Sequence, residues 1–195
     1  MHSGDRPHGV VTFGRGDLDG DGDQELVIVN AGGRVTVGQH PGRRVSVRIP
    51  PDPSVRLHAL PDLFGDGRHE ILVSQSAAGC CDYRSVDSRS LVLRYQAGGL
   101  HLLHLRTGRV FELDFSNGRG VVFTGVECLA SRLRHVTVMM AGPHRLQVET
   151  ALYRLGESTV SRMGRAVHRQ VGGWRRARVL TRDSCPGLRY DGWAG

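Results

Sequence analysis

The frame Asp-Leu-x-Gly-Asp-Gly-x-x-Glu occurs twice in this chain, at Asp17–Glu25 and at Asp62–Glu70, an offset of 45 residues, and both copies run into an apolar segment, Leu26-Val27-Ile28-Val29 and Ile71-Leu72-Val73. A period of this length restricts a chain to architectures in which one supersecondary unit is copied and stacked. An eroded third copy starts at Asp114-Phe115-Ser116-Asn117-Gly118-Arg119-Gly120 and leads into Val121-Val122-Phe123, 52 residues after the second. The units also close alike, Asn30-Ala31-Gly32-Gly33-Arg34-Val35 matching Tyr95-Gln96-Ala97-Gly98-Gly99-Leu100, with Tyr153-Arg154-Leu155-Gly156-Glu157 as a weaker third.

Between these markers the chain offers strands and little else. Twenty-seven glycines among 195 residues interrupt almost every helical window, while short β-branched or alternating segments recur. Strands are expected at Val10–Thr12, Leu26–Val29, Arg34–Val37, Val45–Ile49, Ile71–Val73, Leu91–Tyr95, His101–Leu105, Arg109–Phe111, Val121–Phe123, Arg134–Met140, Leu146–Tyr153, Val160–Met163 and Arg178–Leu180. The fold class is therefore all-β, with about four strands per repeat, as propeller-like blades require. Units of about 10–54, 55–109 and 110–168 make about three blades, and residues 169–195 form an Arg-rich C-terminal tail that is expected to pair with the N-terminal strand. Closure normally takes four or more blades. A small closed ring, an open fragment that assembles with another chain and an unclosed stack all fit the count.

The sharpest chemistry lies in residues 17–25. Asp17, Asp19, Asp21, Asp23 and Glu25 crowd one tight loop with no arginine among them. Five carboxylates so close repel one another, and a hard cation removes that repulsion. Calcium takes 6–8 oxygens in flexible geometry, which alternating Asp side chains on a coiled loop can supply. Asp23, at position 7, contributes its main-chain carbonyl, and Glu25, at position 9, is the natural bidentate ligand. An EF-hand needs a bidentate Glu at position 12 and a leaving helix, whereas position 12 here is Ile28 in a β-branched segment. The pattern indicates a calcium loop inside a β-hairpin. The second loop keeps Asp62, Asp66 and Glu70 but has Phe64 at position 3 and Arg68-His69 nearby, so it is expected to hold its shape without tight metal. The third has only Asp114 and Asn117 as donors and is expected to be empty.

These loops resemble the FG-GAP/VCBS repeat family, the integrin-alpha-like β-propeller repeats whose hairpins carry D-x-D-G-D-G-x-x-D/E. The match is closest over Asp17–Val29, good over Asp62–Val73 and weak after residue 110. The resemblance implies structural Ca2+ at Asp17, Asp19, Asp21, Asp23 and Glu25, a non-enzymatic binding or adhesion role toward a protein or glycan, and a secreted or surface setting. Glu25 stands where the family usually has Asp.

Composition narrows the alternatives. All 26 basic residues are arginine, and their excess is local: residues 1–114 hold 13 Arg against 14 acids, whereas residues 115–195 hold 13 against 5. A basic C-terminal half can attract an anionic polymer, but aromatics are only 6 % and the arginines are scattered at strand-like intervals, so no nucleic acid partner is expected. No apolar run approaches the roughly 18 residues of a membrane span. The opening residues lack an apolar export core, so a cytoplasmic setting stays open beside the secreted one. Oligomerisation follows if the blades do not close alone. No nucleophile elbow, phosphate loop or zinc motif occurs, and His101 and His104, at odd separation on one expected strand, point to opposite faces. The remaining enzyme reading is the scaffold part of a secreted hydrolase. Cys80, Cys81, Cys128 and Cys185 permit three disulfide connectivities, and adjacent Cys80 and Cys81 are expected to join separate partners rather than each other.

Overall fold

A computed structural model of the chain describes residues 11–30, 32–38, 42–50, 55–76, 88–114, 121–142, 145–156, 159–171, 185 and 188. Every regular element among the described residues is a strand. They form three sheets in chain order, one of four strands and two of five, antiparallel except for one parallel pair.

The first sheet is a meander of β1 (Val11–Gly16), β2 (Glu25–Asn30), β3 (Arg34–Gly38) and β4 (Arg44–Arg48). The second contains β5 (Arg56–Ala59), β6 (Ile71–Ser76), β7 (Ser88–Gln96) and β8 (Gly99–Leu102). The third contains β11 (Val121–Leu129), β12 (Arg132–Gly142), β13 (Arg145–Leu155) and β14 (Thr159–Val171), long strands that curl into a half-barrel. Two short strands are exchanged at the boundary. β9 (His104–Leu105) pairs parallel with β14 of the third sheet, and β10 (Glu112–Asp114) returns to pair with Arg89–Leu91 of β7.

The sheets stack face to face. Val27, Val29, Val35 and Val37 of the first bury against Ile71, Val73, Leu91 and Leu93 of the second. The other face of the second, Leu72 and Val92, packs with Phe111 and Leu113 against Val126, Leu133 and Val160 of the third. The central sheet is thus buried on both sides, which is why its strands read as unbroken apolar runs rather than alternating ones. Phe111 also meets Tyr153 edge-on at 5.0 Å between ring centroids. Val136, Val138, Leu146 and Val148 form a further cluster within the third sheet. No described cluster joins the first sheet to the third, so the described packing is an open stack of three layers and contains no closed ring.

Cys128 of β11 is bonded to Cys185, and Cys185 and Leu188 sit in the second core layer. This pairing removes the two connectivities in which Cys80 and Cys81 reach Cys128 and Cys185. Both of those cysteines lie outside the described residues, as does the strand expected at 178–180. The disulfide links residues 57 apart, a closure worth about 2–4 kcal/mol, and is compatible with an extracellular setting. No helix among the described residues is long and apolar enough to cross a membrane.

Candidate metal-binding loop

The first repeat frame is the connection of the β1–β2 hairpin, between Gly16 and its partner Glu25. The loop is organised by its own carboxylates. Asp17 accepts hydrogen bonds from the Gly20 amide through Oδ1 (2.7 Å) and from the Gly22 amide through Oδ2 (3.0 Å). Asp19 Oδ1 accepts from the Asp21 amide (3.3 Å), and Asp21 Oδ1 from the Asp23 amide (2.8 Å). Gly20 and Gly22 have φ of 82° and 94°, the left-handed region where a Cβ costs about 1–2 kcal/mol, which explains the glycines at positions 4 and 6. The result brings one carboxylate oxygen each of Asp17, Asp19 and Asp21 within 4.8 Å of one another. None of the three is in an ion pair with a described residue.

Glu25 lies beneath this cluster. Its side chain is buried and its Oε2 accepts the Leu18 amide at 2.7 Å. Burial raises its pKa, and the charges of Asp19 and Asp21 add to the rise while the Leu18 amide opposes it. The Leu18 amide thus orients the Glu25 carboxylate at the foot of the loop, as the Gly20 and Gly22 amides orient that of Asp17. Asp23 is exposed, with its side chain outside the cluster, which fits a role through its carbonyl.

The second frame, between β5 and β6, repeats most of this geometry. Asp62 accepts from the Asp66 and Gly67 amides (3.1 and 3.0 Å), Asp66 Oδ1 from the Arg68 amide (3.2 Å), and Glu70 Oε2 from the Leu63 amide (2.9 Å). Gly65 and Gly67 again have positive φ, 64° and 82°. The content differs. Phe64, in place of the position-3 acid, is buried in the second core layer. Arg94 of β7, itself buried, reaches between Asp66 and Glu70 and pairs with both, lying 3.1 Å from Glu70 Oε1. A guanidinium thus stands among the carboxylates that the repeat would present to a metal. Burial pushes Glu70 up to about 8, against the opposing pull of Arg94 and the Leu63 amide.

Arg68 and His69, which the sequence placed beside the second loop, lean instead toward the first. The Asp17 amide donates to His69 Nδ1 (3.0 Å), the His69 amide donates to the Asp17 carbonyl (2.7 Å), and the Arg68 side chain lies over Gly20. The second loop in turn meets the third sheet, where the Ser131 amide donates to the Phe64 carbonyl at 2.6 Å. A cleft of about 300 Å³ opens there beside Phe64, Asp66, Arg68, Arg94, Ser131 and Gly156. Asp114 ends β10, while Asn117 lies outside the described residues. His101 and His104 fall on different strands, β8 and β9.

Sequence reasoning missed Arg94, which is 24 residues beyond Glu70. Its only local cue was a lone charge inside the apolar run Leu91-Val92-Leu93-Arg94-Tyr95.

Fold and site together define a class: an all-β protein of stacked four- and five-stranded sheets with an acidic hairpin loop in the first repeat and an arginine-paired copy in the second. No protein-family model, curated protein or solved structure matches the chain.

Proposed function

We propose that the chain is a calcium-binding, non-enzymatic β-repeat module of the FG-GAP/VCBS type, a secreted or surface protein whose sheets are propeller-like blades and whose first loop holds a structural Ca2+. The observation that carries this reading is the convergence of Asp17, Asp19 and Asp21 on one point with no arginine paired to them, in the same backbone frame that Arg94 fills in the second repeat. Three carboxylate oxygens, the Asp23 carbonyl, the Glu25 carboxylate and water make up the 6–8 oxygens that calcium takes. The second loop then needs no metal, because Arg94 supplies the positive charge from within.

Bound calcium ties the β1–β2 hairpin and stabilises the folded chain by mass action, about 2.7 kcal/mol at a hundredfold excess over Kd. In thermal melts, Tm is expected to rise with calcium and fall with chelator, and Asp19→Ala or Asp21→Ala is expected to remove the response. Superimposable melts of the unaltered chain in calcium and in chelator contradict the reading.

A further inference from the structure

The first sheet has one face against the second sheet and, among the described residues, nothing packed on the other. Thr12 accepts the Leu57 amide of β5 at 2.7 Å, and Gly14 lies against Leu57 and Leu60, so the inward positions of β1 are even-numbered. Val11, Phe13 and Arg15 therefore face outward, together with Leu26, Ile28 and Asn30 of β2, Arg34, Thr36 and Gly38 of β3, and Arg44, Ser46 and Arg48 of β4. Strand register arranges them in rows across the sheet. The central row is Phe13, Ile28, Thr36 and Ser46, with Phe13 75 % exposed. On one side lie Arg15 and Arg44, and on the other Arg34 and Arg48, all four exposed.

The equivalent face of the second sheet is the one that stacks on the first, and the comparison shows that the open face is not built for stacking. Where β7 presents Leu91 and Leu93, paired to Val73 and Ile71, β3 presents Thr36 and Gly38, paired to Ile28 and Leu26. Where β8 pairs Leu102 with Leu93, β4 pairs Arg44 with Gly38. Covering this face with another apolar sheet would bury arginines without partners, which is costly. A second copy meeting it by the same face would oppose like charges. No acidic residue stands on the face, and none of its four arginines is in an ion pair with a described residue. On the third sheet, by contrast, Glu127 pairs with Arg134, and Glu149 with Arg162 and Arg165. Among the described residues, positive charge without an ion-pair partner thus gathers on one face of the first sheet, beside that of Arg132 and Arg154 on the third.

We propose that this face binds an acidic polysaccharide of the uronate type. The two arginine rows stand four residues apart along the strands, about 13–14 Å, flanking an apolar and hydroxyl-bearing stripe. An extended 1,4-linked uronate ribbon carries carboxylates alternately on its two edges and C–H faces on its underside. Its carboxylates meet the arginine rows in charge-assisted bonds, its ring faces lie on Phe13 and Ile28, and its hydroxyls meet Thr36 and Ser46. A nucleic acid single strand carries phosphate along one edge and stacks successive bases on several aromatics, whereas this face offers one. The inference rests on the binding-module reading and names its partner, but it does not depend on an occupied metal loop.

The test is calorimetric titration of the full chain with polygalacturonate and with its fully methyl-esterified form. Circular dichroism melts check the fold of each variant. Polygalacturonate is expected to bind and the ester to bind at least tenfold more weakly. Arg34→Ser with Arg48→Ser, and Arg15→Ser with Arg44→Ser, should each lower affinity about tenfold or more, while the control pair Arg132→Ser with Arg154→Ser on the third sheet changes it less than about twofold. No binding of polygalacturonate, equal binding of the ester, equal loss in the control pair, or tighter binding of an oligothymidylate each overturns the proposal. A chain whose melting ignores calcium but whose first-sheet arginines still set polygalacturonate affinity sinks the calcium reading and leaves this one standing.

Discussion

The two repeat loops share a backbone and differ in how their negative charge is balanced. In both, the position-1 Asp gathers loop amides and the position-9 Glu takes the amide of the leucine at position 2. In the second, Phe64 plugs the core and Arg94 pairs with Asp66 and Glu70, so one cation from within the chain stands against two of the three carboxylates. In the first, Asp17, Asp19 and Asp21 converge with no paired cation. The frame is therefore a scaffold for clustered carboxylates, and the neutralising charge is a separate, exchangeable part. An arginine from a neighbouring strand supplies it permanently, whereas a metal ion supplies it conditionally.

The strongest way to break the comparison is to remove the internal cation. Arg94→Met leaves Glu70 buried without its partner. At pH 8.5, where the unaltered chain holds Glu70 largely ionised beside Arg94 and the variant must bury it as the acid or as an unpaired charge, the loss is expected to be about 3–5 kcal/mol in urea unfolding. At pH 5.5 it should be smaller, because Glu70 is then the neutral acid with or without Arg94. The calcium response of the first loop should survive in this variant.

Next in size is the pH dependence of the unaltered chain. Glu70 titrates at about 8 in the folded protein against an ordinary 4.5, so folding takes up a proton between those values. The stability tied to that proton is fully present below pH 4.5 and is lost as pH rises through about 8. Unfolding free energy should fall by up to a few kcal/mol over this range, with Glu25, also raised by burial, adding in the same sense. Glu70→Gln should flatten most of the slope, as read from urea midpoints across the pH series.

The smallest expected effect tests whether the two frames are equivalent. Gly22 and Gly67 both have positive φ, and a Cβ on either meets no atom within 4 Å. Gly22→Ala and Gly67→Ala should therefore cost the same in chelator, about 1 kcal/mol each from backbone strain alone. Unequal costs would mean that the loops differ in backbone as well as in charge.

The hairpins and the glycine turns were legible because they are set by local pattern. Leu26–Val29 and Ile71–Val73 carry their own β-branched signal, and the Gly positions mark positive φ. What was not legible arises from contacts distant in sequence. β5 went unseen because Arg56-Leu57-His58-Ala59 is short and has no β-branched or aromatic residue, and it becomes a strand by pairing with β6. The expected strand His101–Leu105 is split at Leu103, whose amide bonds Val92 while its carbonyl accepts Phe111, sending β9 to the third sheet. β14 runs on to Val171, past the expected end at Met163, because β13 is there to pair with it. In the site, the acidic cluster was readable from spacing alone, since all its members lie within nine residues. Arg94 was not, because its role depends on β7 lying beside β6.

The most direct measurement is the stoichiometry of calcium binding, by titration calorimetry with native mass spectrometry, in the unaltered chain, in Asp19→Ala and in Asp66→Ala. The expected result is one equivalent for the unaltered chain, none for Asp19→Ala and one for Asp66→Ala. No bound calcium in the unaltered chain, or a site lost with Asp66 rather than Asp19, would contradict the account.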